Sequence, residues 1–141
     1  MTADDEKNFR NVVLEWTGDL VFEGGGRDDG PRAILDGDGE AGTSPVMALL
    51  LAAGACSGAD VVSILAKMQA GLTSCRVEVR GRRNEDYPKR YNHLWITFRL
   101  KGSNLTEANT SRAVQLSVEK YCSVLRTLDP EMPVETEIVI D

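Results

Sequence analysis

From Pro45 to Leu72 the chain is mostly apolar, permissive of helix, and free of proline after its first residue. A helix of that length must bury a face, so the core has to be built around it. Its start is well marked. Thr43 or Ser44 can cap it, and Pro45 suits the first helical position, where its missing N–H costs nothing. Gly54 and Gly58 weaken the middle, so a bend or restart is expected near Gly54. Beyond them Val61, Ile64, Leu65, Met68 and Leu72 share one face at helical spacing. The run Val46 to Ala55 is broken by Gly54 and too short to span a bilayer. It is also more apolar than one small protomer can cover, so a homodimer with a large interface is expected.

Around this helix the periodicity is that of strands. Apolar and β-rich residues flank Thr17-Gly18-Asp19 between Asn8 and Glu23, which reads as a hairpin, and Pro31 to Asp36 as a further short strand. Cys75, Val77 and Val79 alternate with charged residues. Leu94, Ile96, Phe98 and Leu100 alternate with His93, Trp95, Thr97 and Arg99. A second long helix is expected from about Thr106 to Thr127, ended by Asp129-Pro130, and a last strand carries Val134, Thr136, Ile138 and Ile140. The order β-β-β-α-β-β-α-β makes an α+β fold. The 141 residues form one domain, with no repeat and no linker long enough to divide them.

Composition narrows the function. The chain carries 16 basic and 22 acidic residues, a net charge of −6, which argues against nucleic-acid or anionic-membrane partners. The polar N-terminus shows no apolar signal region, which favours the cytoplasm. One histidine and three dispersed cysteines give neither a disulfide framework nor a zinc-ligand spacing, and no serine–histidine–aspartate set suggests itself. Gly37-Asp38-Gly39-Glu40-Ala41-Gly42 fits the G-x-G-x-x-G pattern, but its acidic residues would repel a pyrophosphate and no parallel βαβ unit follows. The same stretch fails as a calcium loop, with Ala41 where glycine and Met47 where glutamate is needed. No metal and no cofactor is expected.

Thiol chemistry remains. Cys75 falls on the apolar side of a strand and reads as a buried, inert cysteine, and His93 as a surface histidine. Cys56 and Cys122 lie on the apolar parts of the two long helices, which must pack together. They are either small core residues filling gaps or a redox pair. Small residues surround Cys56, and a helix restart near Gly54 would lower its thiol pKa.

Thr43-Ser44-Pro45 followed by Leu49 to Cys56 resembles the first-cysteine helix of the OsmC/Ohr family. Glu119-Lys120-Tyr121-Cys122-Ser123-Val124-Leu125 resembles its second-cysteine helix. Asp60-Val61-Val62-Ser63-Ile64-Leu65 with Lys67, and Arg112 to Ser117, are similar to the YhfA-like branch. The resemblance covers about residues 11 to 140. It implies an OsmC-like fold, with two long central helices packed against antiparallel sheets in an intertwined homodimer with interfacial active sites. It also implies a thiol peroxidase of oxidative-stress defence that reduces organic hydroperoxides. Cys56 would be the peroxidatic and Cys122 the resolving cysteine, reset by a dithiol of the lipoyl type. Arg27, with Arg32 second, is the positional match for the arginine that steadies the thiolate. The glutamate that holds this arginine in the peroxidase branches is Val46 here, and Asp60 is a possible substitute acid. The other reading open at this point is a weakly active redox-sensing or small-molecule-binding dimer of the same fold.

Overall fold

The computed structural model describes residues 6–27 and 29–141. They fall into two compact units, one running up to Ala48 and the other from Leu49 onward.

The first unit is an antiparallel meander of β1 (Val13–Gly18), β2 (Val21–Gly25) and β3 (Arg32–Asp36), with β2 central. Gly18 and Asp19 turn the first hairpin with positive φ angles of 130° and 46°. After β3 the acidic loop folds over Asp36. Its carboxylate accepts the backbone N–H groups of Asp38 (2.9 Å), Glu40 (3.1 Å) and Ala41 (2.9 Å). These bonds, those from Ala41 and Asp38 foremost, hold the Asp36 carboxyl below its ordinary 3.8. The glycine-rich stretch is thus a turn closed on its own carboxylate.

Helix α1 (Pro45–Lys67) leads out of the first unit and supplies the second with its long core helix. The expected restart near Gly54 does not occur, because α1 runs unbroken through Gly54 and Gly58. Those glycines serve packing instead. A Cβ on Gly54 would lie 2.9 Å from Val79 Cγ2, and one on Gly58 3.1 Å from Val77 Cγ2. Their absence lets the helix settle onto the strand below. The helix ends at Lys67, short of the expected Leu72. Gln69 takes the left-handed conformation, its N–H bonds to the Ala66 carbonyl, and that of Ala70 returns to Leu65. This double closure satisfies the last carbonyls of the helix.

Strands β4 (Leu72–Arg83) and β5 (Tyr91–Gly102) pair antiparallel, and β6 (Val134–Ile140) joins β5 in parallel. The second sheet is therefore mixed, where the expectation was antiparallel. The helical crossover between β5 and β6 returns the chain in the same direction. On β5 the alternation holds as written in the sequence: Leu94, Ile96, Phe98 and Leu100 are buried and their neighbours half-exposed. They meet Ala53, Val61 and Leu65 of α1 in one core with Ala113, Val114 and Cys122. Each fully buried Val or Leu there contributes about 1.5–3 kcal/mol.

The second helical region is not the continuous helix expected from Thr106 to Thr127. Helix α2 (Glu107–Leu116) opens on a reciprocal cap between Thr106 and Asn109. A π-helical turn follows over Ser117–Tyr121, and the chain is extended at Cys122 before helix α3 (Ser123–Thr127).

Candidate functional site

The break at Cys122 creates the site. Widening the helix by a π turn adds a residue relative to the α register, a distortion often found at functional positions. The Cys122 N–H bonds to the Ser117 carbonyl at 2.8 Å, and its ψ of 100° stops the helix there. The sulfur is fully buried. Opposite it, α1 presents Cys56 and, one turn on, Asp60, both half-buried. One sulfur of each cysteine and one carboxylate oxygen of Asp60 all lie within 4.8 Å of one another.

Ser117 ties the two helices together beneath these groups. Its hydroxyl donates to Asp60 Oδ2 at 2.9 Å and lies 3.3 Å from the Ser57 carbonyl. Ser57, also buried, donates back into α1 to the Ala53 carbonyl at 2.8 Å. Burial pushes the Cys122 thiol up to about 11, and the adjacent Cys56 adds to the rise. The backbone N–H groups of Leu125 and Val124 oppose that rise without cancelling it. Cys122 is therefore a protonated, enclosed thiol, and Cys56 is the member of the pair that solvent reaches.

The other sequence candidates take different places. Cys75 is half-buried on β4, paired with Leu100 across the sheet, and desolvation raises its pKa. Arg27 lies in the loop after β2, largely exposed, with an ion pair to Asp29 at 3.7 Å. Arg32 pairs with Glu23 at 3.8 Å. His93 is mostly covered: it stacks on Trp95 with ring centroids 4.0 Å apart and pairs with Glu135. Asp60, considered only as a holder for an arginine, instead accepts from Ser117 and faces both sulfurs. The available signal was its spacing of four from Cys56, which puts both on one helix face. Nothing in the sequence marked Ser117 or the break, since no Gly or Pro stands there.

The sequence pattern of the OsmC-like protein family matches residues 37–137. The chain belongs to the OsmC family. An OsmC relative, Protein YhfA of Escherichia coli K12, is 38% identical over 117 residues, spanning 82% of this chain and 87% of that protein. A hypothetical protein from Aquifex aeolicus VF5 superposes with a TM-score of 0.85 at 29% identity, over 95% of this chain and 97% of that one. The organic hydroperoxide resistance protein OhrB of Bacillus subtilis shares the OsmC fold, with a TM-score of 0.59 at 13% identity over 94% and 98% of the two chains.

Proposed function

We propose that this OsmC protein is a thiol-dependent peroxidase that reduces organic hydroperoxides, with Cys56 attacking and Cys122 resolving. The observation that carries the reading is the adjacency of the two sulfurs across α1 and the helix break. Their unequal burial supports the assignment of roles. The Cys56 thiolate attacks a peroxide oxygen and the O–O bond breaks. This gives a Cys56 sulfenic acid and, with a proton taken up, the alcohol. The Cys122 thiol condenses with the sulfenic acid, forming the S–S bond and releasing water. An external dithiol of the lipoyl type then reduces the disulfide to two thiols and is itself oxidised.

A homodimer belongs to this reading. Met47, Leu49, Leu51 and Val62 of α1 are exposed apolar side chains on a single chain. A second copy covering them would remove that liability. A cytoplasmic location, where dithiol reductants act, fits as well.

The test is to add tert-butyl hydroperoxide to reduced protein with dihydrolipoamide present. Catalytic loss of peroxide and a Cys56–Cys122 disulfide in the peptide map are expected, with Cys75 still free. No consumption above the protein-free rate refutes the reading. A second reading, a redox sensor that turns over poorly, is favoured by Val46, which cannot hold an arginine as the glutamate of the peroxidase branches does. Disulfide formation over minutes, rather than within the mixing time, decides for it.

A further inference from the structure

Two thiols and a carboxylate converge here from separate helices, and a soft cation needs such a donor set. We propose that Cys56, Asp60 and Cys122 form a binding site for a thiophilic divalent cation of the zinc class. Three donor atoms mutually within 4.8 Å are close to the spacing such an ion imposes. Tetrahedral zinc with sulfur at about 2.3 Å and oxygen at about 2.1 Å brings two sulfurs to about 3.8 Å and a sulfur and an oxygen to about 3.6 Å apart, so the donors close by little more than about 1 Å. Two of the three donors, Cys56 and Asp60, sit one turn apart on the continuous helix α1 and are pre-aligned. The third sits where the chain leaves helical geometry, so its position is set by the break at Cys122.

The surroundings suit a ligand set. Ser117 is fully buried, and its hydroxyl orients the Asp60 carboxylate by donating to one oxygen while the other stays available. An outer-shell donor of this kind fixes the direction of a ligating group. The charge balance points the same way. With both thiols ionised beside Asp60, three negative groups share one partly buried space, a state stable only with positive charge between them. A divalent cation supplies it, and on binding the two thiols release their protons to water with no change in oxidation state. Three protein ligands leave a fourth position for water or a small thiol, the arrangement of open zinc sites.

The experiment uses the full chain, reduced and free of metal, with no peroxide present, so its outcome is independent of the peroxidase reading. Co2+ is titrated for its thiolate charge-transfer absorption, and Zn2+ affinity is measured by competition with a chromophoric chelator. One ion per chain is expected, with a charge-transfer band that Cys56→Ser or Cys122→Ser removes and Cys75→Ser leaves intact. Asp60→Asn keeps an oxygen to accept from Ser117 but loses the anionic ligand, so Zn2+ affinity falls at least about tenfold. Ser117→Ala lowers it by roughly 10- to 100-fold as an outer-shell effect. Circular dichroism confirms that each variant is folded. The proposal is overturned if Co2+ gives no charge-transfer band, if the band depends on Cys75, or if folded Asp60→Asn binds Zn2+ as tightly as the wild type.

Discussion

Replacing Gly54 with alanine tests how closely α1 sits on β4, and hence how the cysteine helix is held. In an exposed helix the change would stabilise by about 1 kcal/mol, because glycine has more backbone freedom to lose. Here the new methyl lies 2.9 Å from Val79 Cγ2 and 3.6 Å from Val77 Cγ1. Comfortable carbon contacts are about 3.5–4.0 Å, so helix and strand must part by about half an ångström or Val79 must rotate. Val79 is β-branched, stiff about its first torsion, and locked opposite Ile96 in the sheet. Overpacking of this kind costs about 1–3 kcal/mol, and the net result is destabilisation of about 0–2 kcal/mol. Removing the obstacle reverses the sign. In a Val79→Ala background Gly54→Ala regains its helix gain, and the two sites couple by about 1–3 kcal/mol. Urea unfolding followed by circular dichroism on the four proteins of the cycle measures this. At Gly58 the nearest atom is 3.1 Å away, so alanine there is close to neutral. If Gly54→Ala stabilises the wild type by the full helix increment and shows no coupling to Val79, the close approach of α1 to β4 is wrong.

Three further outcomes are expected. The Asp36 carboxyl, held below 3.8 in the fold, contributes stability that is present above its unfolded value and lost as pH falls through its folded value. Asp36→Asn should therefore flatten the acid limb of urea-unfolding stability between about pH 5 and pH 2, and an unchanged slope contradicts the loop-closing role. Cys122, fully buried with its thiol pushed up to about 11, should be the slowest of the three thiols toward Ellman's reagent, and Cys75→Ser should consume peroxide at the wild-type rate. The wild type should be a dimer by light scattering at micromolar concentration and Leu51→Glu a folded monomer, since Leu51 is 61% exposed in the single chain; a monomeric wild type removes the basis for the dimer.

What could be read in advance followed from periodicity. The alternation along β5 and the helical spacing from Val61 to Leu65 each repeat a pattern that only one backbone geometry satisfies, so those elements and their buried faces were legible. The direction of β6 was not, because a strand's own sequence carries no mark of which way its neighbour runs. The glycines of α1 misled for a physical reason. Propensity counts their cost in an isolated helix, whereas here the missing Cβ atoms admit Val77 and Val79. The break at Cys122 was invisible, since Val118 to Leu125 reads as ordinary helix and a π turn needs neither Gly nor Pro. With it the role of Ser117 was hidden, because its partners Ser57 and Asp60 lie on another helix.

Charge around the sulfurs is where sequence and structure join most sharply. A cysteine that attacks a peroxide must ionise, and an ordinary thiol is only a few per cent thiolate at neutral pH. The peroxidase pattern places a glutamate-held arginine there, but Val46 stands in the glutamate's place and Asp60 faces the sulfurs. A carboxylate and a thiolate within 4.8 Å of each other repel by at least about 0.9 kcal/mol in water. The Ser117 hydroxyl, bonded to Asp60, spreads part of that charge and lessens the penalty. Asp60→Asn removes the charge and keeps the hydrogen bond. Hydroperoxide reduction should then accelerate, by about fourfold for that water-like value. The same substitution weakens cation binding, so one change moves the two activities in opposite directions. Stopped-flow mixing with tert-butyl hydroperoxide measures the first and chelator competition the second. A folded Asp60→Asn protein that reduces peroxide more slowly than the wild type would show that the carboxylate assists the thiol, as a proton acceptor or through a group it holds, and the repulsive role assigned to it here would be wrong.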